Sequence, residues 1–176
     1  MSNMNIEFLE DTESGYEHRT YENVRLADIT IAFAKVPDSP GEVMTRDAAK
    51  LYNKPFIMVD LSSDNITMER FDPCNVANIH SINVAGNGMS RFAHFHVTQE
   101  MIDQIVYNYI RNFIIIHKLD IKEIRSGGQT GADESGLKAA IKLGIKAICL
   151  CPKGWRLRTE TTDISNETIF KNRFKL

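Results

Sequence analysis

The chain has 176 residues, of which 43% are hydrophobic, and its charges nearly cancel to a formal net charge of -2. This length and apolar content suit a single core, so we predict one domain over residues 1–176 with a polar C-terminal tail at about 157–176. The neutral charge balance argues against a nucleic-acid partner. We recognise neither a signal peptide nor an apolar run long enough to span a bilayer, and we expect a cytoplasmic protein without membrane contact.

The predicted elements alternate between short β-branched runs and stretches of helical period. In chain order, strands are predicted at residues 29–34, 56–61, 79–84, 122–125 and 146–151. Helices are predicted at residues 42–53, 98–119 and 133–143. The longest helix begins after the N-cap Thr98 and has an apolar stripe formed by Met101, Ile102, Ile105, Tyr109, Phe113 and Ile116. The alternation is typical of an α/β fold, and we predict a Rossmann-like, mostly parallel sheet with helices on both faces.

A glycine-rich segment joins the fourth predicted strand to the last predicted helix. It consists of Ser126, Gly127, Gly128, Gln129, Thr130 and Gly131, and Asp133 follows in the first turn of the helix. Glycines let main-chain N–H groups approach a ligand, and a helix N-terminus attracts negative charge, so the segment is suited to phosphate. A tight turn without a ligand is the alternative. If phosphate binds here, replacing Gly128 with valine should abolish binding and leave the fold intact.

Other loops follow the carboxyl ends of predicted strands, where open α/β sheets bind their ligands. The candidate ligand-binding residues in these loops and in the helix that follows the first one are Pro40, Gly41, Glu42, Thr45, Gly86, Asn87, Lys153 and Arg156. The carboxylate of Glu42 is suited to a ribose hydroxyl or a water, and the two cations are suited to a phosphate. Ordinary helix-start chemistry and solvated turns are the alternatives.

The cysteine and histidine positions do not complete a metal site. Cys149 and Cys151 fall on one face of a predicted strand, and His94 and His96 share a short segment, but no further ligands stand at zinc-binding spacing. We therefore predict no metal site. The third cysteine, Cys74, leaves an odd number, so we expect reduced thiols rather than a disulfide framework.

Three motifs follow one another in the second half of the chain: Ser-Gly-Gly-Gln-Thr-Gly-Ala-Asp from residue 126, Leu-Gly-Ile from residue 143 and Cys-Pro-Lys-Gly from residue 151. They resemble the molybdenum carrier proteins of the SLOG group, which are Rossmann-like proteins related to the Lonely Guy phosphoribohydrolases and to DNA-processing protein A. Further matching positions are Tyr16, Arg19-Thr20, Asn23-Val24, Ala27-Asp28, Gly41, Thr45, Lys54-Pro55, Val59-Asp60-Leu61 and Asn83-Val84-Ala85-Gly86.

The order of these motifs differs from the order in that family. There the Gly-Gly-Gln-Thr-Gly motif opens the chain and the Asn-Val-Ala-Gly motif closes it, whereas here the second precedes the first. The chain thus resembles a circular permutation in which helix 98–119 bridges the family's old termini, a change that compact α/β domains tolerate. The resemblance implies one pocket, for a nucleotide or a related phosphorylated molecule, lined by Gly41, Thr45, Gly127, Gly128, Thr130, Asp133 and Lys153.

Ligand binding without strong catalysis is the function we expect first. The ligand would be a nucleotide or a nucleotide-derived phosphorylated molecule, such as a signalling nucleotide or the molybdenum cofactor. Where the Lonely Guy enzymes carry further glycines and a catalytic glutamate, this chain has Glu42, Met44 and Asp47. Hydrolysis of a nucleotide N-glycosidic bond by Glu42 or Asp47 is the first alternative, and a DNA-processing module is the second. Related proteins often form homo-oligomers, which implies a homo-oligomer here.

Overall fold

The computed structural model describes residues 5–63 and 78–176, so Cys74 lies outside the described residues. The strands are β1 (Ile6–Glu10), β2 (Ile29–Ala34), β3 (Phe56–Asp60), β4 (Ser81–Gly86), β5 (Glu123–Ser126), β6 (Lys146–Cys151), β7 (Arg156–Arg158) and β8 (Asp163–Ser165). The helices are α1 (Glu17–Leu26), α2 (Pro40–Leu51), α3 (Met89–Phe92), α4 (Gln99–His117), α5 (Ala132–Leu143) and α6 (Glu167–Asn172). Short 3₁₀ turns follow α3 at Ala93–Phe95 and β6 at Lys153–Trp155.

Six strands form one sheet in the order β1-β6-β5-β4-β2-β3, and every neighbouring pair in it is parallel. Strand β2 lies inside this sheet and all six of its residues are buried, as expected for a parallel strand covered on both faces. Helices α1 and α2 pack together around a small apolar cluster, while α4 and α5 pack together over the main core. The predicted α/β, Rossmann-like fold is confirmed.

Strand β1 and helix α1 were not among the predicted elements. Strand β1 pairs with β6 at the edge of the sheet, and its apolar residues Ile6 and Phe8 are only half-buried. Helix α1 has a polar sequence and buries Arg19 and Asn23 beside Val24, so it lacks a clear apolar stripe. The predicted third strand, at 79–84, is also displaced: the observed strand β4 runs two residues further, to Gly86.

The C-terminal residues fold against the sheet, where a polar tail was expected. Strands β7 and β8 form an antiparallel hairpin, and α6 follows with Asn166 as its N-cap. Phe170 and Phe174 are fully buried and contact Trp155 and Phe8. A few buried aromatic side chains therefore anchor a segment whose overall composition is polar. Among the described residues, no helix is long and apolar enough to cross a bilayer.

Candidate functional site

A pocket of about 640 Å³ opens at the carboxyl-terminal edge of the parallel sheet. Its walls come from five separate parts of the chain: residues 14–23, 39–45, 83–91, 127–133 and 152–158. Four of these parts include the loop that follows β2, β4, β5 or β6, and the first includes α1. The pocket therefore lies where parallel α/β sheets place their ligands.

Most of the candidate residues meet in this pocket. Those that line it are Gly41, Glu42, Thr45, Gly86, Asn87, Gly127, Gln129, Thr130, Asp133, Lys153 and Arg156. Those that do not line it are Pro40, Asp47, Ser126, Gly128 and Gly131. Asp47 is exposed on α2 with its Oδ1 atom 3.6 Å from Lys50 Nζ, and the buried hydroxyl of Ser126 donates to Val84 O at 2.6 Å. Asp47 is therefore not placed to act on a molecule in the pocket.

Two main-chain N–H groups of the glycine segment, and that of the residue after it, are occupied within the protein. The N–H of Gly131 donates to Gln99 Oε1 at 2.7 Å, and the N–H of Ala132 donates to Asn87 O at 3.1 Å. The N–H of Gln129 points to Asp133 Oδ2 at 3.4 Å. The protein thus already places a carboxylate of its own at the N-terminus of α5. This arrangement differs from the open phosphate cradle that the glycine pattern predicted.

Gly128 faces the core rather than the pocket. Its φ of +74° is unfavourable for residues with a side chain, and a Cβ atom here would overlap Cys149 Sγ and lie 2.8 Å from Phe170 Cζ. Its carbonyl oxygen accepts a hydrogen bond from Arg173 Nη2 at 2.7 Å. The expectation that valine at Gly128 leaves the fold intact is therefore wrong, because the substitution would disturb buried packing.

Two carboxyl groups, the buried Glu42 and the half-buried Asp133, lie at the starts of α2 and α5. Glu42 is 5% exposed, and burial raises its pKa to about 7, assisted by the nearby charge of Asp133 and opposed by Arg91. Burial likewise raises the pKa of Asp133 to about 6, against the opposing effect of Arg19. Both groups can therefore exchange protons near neutral pH. A pocket with such groups can accept hydrogen bonds from hydroxyls or supply an acid and a base.

Asn87 supports the wall next to Glu42. Its Oδ1 atom accepts a hydrogen bond from the N–H of Val36 at 2.9 Å, and its Nδ2 atom lies 3.5 Å from Ser39 Oγ. Gly86, just before it, packs so closely on Phe33 that a Cβ atom would lie 2.7 Å from Phe33 N. These two predicted site residues thus hold the β2 and β4 loops together as well as lining the pocket.

The C-terminal hairpin forms a basic rim. The side chain of Gln129 bonds the backbone of Arg156 and Arg158, with its Nε2 atom 2.8 Å from Arg156 O and its Oε1 atom 2.9 Å from Arg158 N. Thr130 Oγ1 donates to Arg158 O at 2.6 Å. Both arginines pair with Asp163 at the surface. The glycine segment therefore fixes two cations at the pocket mouth through its side chains.

Helix α1 supplies a wall that the sequence analysis did not include among the site residues. Its members in the pocket lining are Tyr16, Arg19, Thr20 and Asn23, and the preceding turn adds Ser14 and Gly15. Arg158 is a further cation of the lining that was not predicted. The signal for α1 was present, since its residues belong to the segment that resembles the family, but no catalytic or phosphate motif marks them.

The cysteine pair of β6 is buried behind the glycine segment. Cys149 and Cys151 are free thiols with their Sγ atoms 3.4 Å apart, and burial raises the pKa of the Cys149 thiol well above its usual value. His94 and His96 are exposed near α3. Within residues 5–63 and 78–176, no group of three or more histidine, cysteine or acidic side chains is arranged to hold a metal ion.

The parallel sheet and the pocket at its carboxyl edge define a Rossmann-like protein with a small-molecule-sized cavity. Residues 3–107 and 124–171 match the circularly permutated YpsA SLOG family, and the chain belongs to that family. This match confirms both the SLOG resemblance and the permuted order. The unmatched residues 108–123 fall in the second half of α4 and the loop after it, within or next to the predicted bridge. No significant match was found among curated proteins or among solved structures.

Proposed function

We propose that the pocket binds a nucleotide or a nucleotide-derived phosphorylated ligand. The observation that carries this proposal is the meeting of two carboxyl groups with raised pKa values, Glu42 and Asp133, with cationic side chains in one cavity. Carboxylates accept hydrogen bonds from ribose hydroxyls or base N–H groups, whereas guanidinium and ammonium groups bind phosphate. The pocket volume also falls in the range of roughly 300–1,000 Å³ that is typical of small-molecule sites.

Three cations follow β6 on one side of the pocket, which favours a ligand with negative charge at one end. Glu42 lies on the α2 side, while Lys153, Arg156 and Arg158 follow β6 on the other side. A nucleoside phosphate carries hydroxyls and a base at one end and negative charge at the other. Signalling nucleotides and the molybdenum cofactor both have a hydrogen-bonding end and a phosphate end. We propose nucleotide-like phosphorylated molecules as the ligand class, without choosing one of these two.

Gly41 offers a substitution that tests the proposal without disturbing the core. A Cβ atom on Gly41 would meet no other heavy atom within 4 Å, although the residue lines the pocket. Gly41→Val should therefore narrow the pocket beside Gly41 while preserving α2, whose helical propensity it does not reduce. Val43→Leu is the matched control, because Val43 is 37% exposed on the same helix and does not line the pocket.

The measurement is native mass spectrometry of freshly purified protein, followed by calorimetric titration with nucleotides and with any released compound. We expect the wild type and Val43→Leu to bind the same phosphorylated compound, and Gly41→Val to lose at least tenfold in affinity. Failure of the wild type to bind any member of a broad nucleotide panel would contradict the proposal. Equal binding by Gly41→Val would show that the ligand lies elsewhere.

Hydrolysis of a nucleotide N-glycosidic bond is a second candidate function, favoured by the pKa of Glu42. A carboxyl group with a pKa of about 7 is suited to removing a proton from an attacking water at neutral pH. Water would then bond to the sugar carbon as the bond to the base breaks, and the base would leave with a proton. Incubation with nucleoside monophosphates should release base and sugar phosphate, and Glu42→Gln should abolish the release. Intact nucleotides after incubation with wild type would exclude this reaction.

A further inference from the structure

Arg19 is a buried cation whose hydrogen bonds are incomplete. Its side chain projects from α1 into the pocket lining, and the residue is 6% exposed. Its Nη1 atom donates to Gly15 O, but its Nε atom has no partner among the described residues. No carboxylate of the described residues forms an ion pair with it within 4 Å. A guanidinium out of water normally requires such partners, so its position calls for a ligand or a water.

Two carboxylates act on Arg19 through space, those of Asp133 and Asp11, and both bond other groups. Asp11 Oδ1 bonds His18 Nδ1 at 2.7 Å and also accepts from the N–H of Glu13 at 3.2 Å, while its Oδ2 atom has no partner among the described residues. Asp133 bonds the N–H of Gln129 at the start of α5. Both carboxylates attract Arg19 through space, while burial lowers its pKa, and the guanidinium remains protonated. Among the described residues, Arg19 therefore keeps its charge without an ion pair within 4 Å.

Arg125 provides an internal comparison. It is equally buried, at 5% exposed, and lies outside the pocket lining. Its Nε atom donates to Asn23 Oδ1 at 3.3 Å, and its Nη1 atom lies 3.4 Å from Glu123 Oε1. The fold thus satisfies a buried arginine at the Nε position where no ligand can reach it. Of these two buried arginines, Arg19 faces the pocket and has an unsatisfied Nε atom, whereas the Nε atom of Arg125 is hydrogen-bonded.

Gly127 lies beside the free Nε atom of Arg19. The position that a Cβ atom would take on Gly127 is 3.9 Å from Arg19 Nε and 2.7 Å from Asp133 Oδ2, so a side chain here would have to displace that carboxylate. Glycine therefore allows the side chains of Arg19 and Asp133 to lie close together in the pocket wall. A phosphoryl oxygen is suited to the guanidinium, since arginine donors form strong, directional bonds with phosphate.

We propose that Arg19 forms the subsite that receives the phosphoryl group of the ligand. The inference rests on the proposed function, because it assigns one end of that ligand to one residue. The charge that binds the anion then comes from α1, beside the glycine segment.

Arg19→Gln tests the assignment, with Arg25→Gln as the matched control on the same helix. Arg25 is exposed and pairs with Glu22, away from the pocket lining. The probes are inorganic phosphate, the four common nucleoside 5′-monophosphates and the corresponding nucleosides, titrated by calorimetry. We expect the wild type and Arg25→Gln to bind at least one nucleotide more tightly than its nucleoside. Arg19→Gln should weaken that nucleotide about 10- to 100-fold, the loss expected for a bond to a charged group, and leave the nucleoside within twofold.

The outcomes separate this inference from the proposed function. If a nucleotide binds the wild type and binds Arg19→Gln equally well, the Arg19 assignment is wrong while the proposed function stands. If neither phosphate nor any nucleotide binds the wild type, both are wrong.

A second measurement on the unmodified protein covers the case in which Arg19→Gln does not fold. The Nε–H signal of Arg19, assigned by comparison with Arg19→Lys, is followed by ¹⁵N NMR during titration with the same probes. We expect it to shift with phosphate or nucleotide and to stay in place with nucleoside. An unchanged signal at saturating nucleotide would overturn the proposal.

Discussion

Gln99 and Gly131 exchange a pair of hydrogen bonds, in which the side-chain amide of Gln99 takes the place of a peptide group. The N–H of Gly131 donates to Gln99 Oε1 at 2.7 Å, and Gln99 Nε2 donates to Gly131 O at 3.1 Å. Gln99 is the first residue of α4, the helix predicted to bridge the family's old termini. The helix at the permutation therefore begins by holding the glycine segment in place.

Removing this pair should destabilise the protein. Gln99→Ala leaves the buried N–H of Gly131 without its acceptor, and we expect the free energy of unfolding to fall by about 1–3 kcal/mol. Urea denaturation followed by circular dichroism measures the loss. Gln104→Ala is the control, because Gln104 is exposed on the same helix and its side chain bonds that of Asn108. Equal stability of the two variants would contradict the role assigned to Gln99.

Glycines on opposite sides of the pocket wall should respond differently to a methyl group. Gly128→Ala forces a Cβ atom into Cys149 and Phe170 at a positive φ, and we expect a loss of roughly 2–5 kcal/mol in unfolding free energy. Gly41→Ala should not destabilise the protein, because its Cβ atom enters open space in a helix. Thermal unfolding of both variants measures the contrast. A melting temperature for Gly128→Ala equal to that of the wild type would place Gly128 outside the core.

Glu42 should make stability depend on pH. Its pKa is about 7 in the folded chain, against 4.5 for an ordinary glutamate, because burial favours the neutral form. Its stabilising contribution is therefore complete below pH 4.5 and is lost as the pH rises through 7. Glu42→Gln should remove this loss and raise the unfolding free energy at pH 8 by on the order of 3 kcal/mol relative to wild type.

Urea midpoints of wild type and Glu42→Gln between pH 4 and pH 8 test this dependence. The exposed residue Glu100 supplies the control variant Glu100→Gln, which should follow the wild-type curve. Parallel curves for wild type and Glu42→Gln would show that Glu42 ionises freely in the folded protein.

Arg173 joins the C-terminal helix α6 to the glycine segment, and its removal should destabilise the protein. It forms an ion pair with Glu134 and donates to Gly128 O at 2.7 Å, and both side chains of the pair are largely buried. Arg173→Met should cost about 3 kcal/mol of unfolding free energy, since it leaves Glu134 with only Lys138 as a charged partner. Urea denaturation measures this loss, with the exposed Lys175→Met as control. An effect no larger than that of the control would remove Arg173 from this role.

The sequence predicted the central elements of the fold better than its edges. Strand β2 matches its predicted bounds because a fully buried strand is a continuous apolar run. Strand β1 escaped detection because only one side of this edge strand is partly covered. In α4 the helix was predicted, but the buried stripe is rotated, and Met101 and Ile116 are 48% and 60% exposed. Periodicity identifies an amphipathic helix more reliably than the edges of its buried face.

The site was predictable in its location but not in its details. The loops after the strands were inspected because parallel topology brings them together, and most of their candidates line one pocket. Arg19 was missed because it lies on a helix with no apolar period to mark it. The pairing of Gly131 with Gln99 was also invisible, since the two residues are distant in sequence and only the packed fold shows which amides are occupied.

The wide separation along the chain of the pocket's walls has a consequence for folding. Gln129 bonds residues of the β7–β8 hairpin, Val36 bonds Asn87, and Arg19 lies beside Gly127 after a long excursion of the chain. Contacts between such distant segments close large loops and are slow to form. The strand pairs β1–β6 and β2–β4 join equally distant segments, so we expect the cavity to form together with the sheet and partly folded chains to have no binding activity.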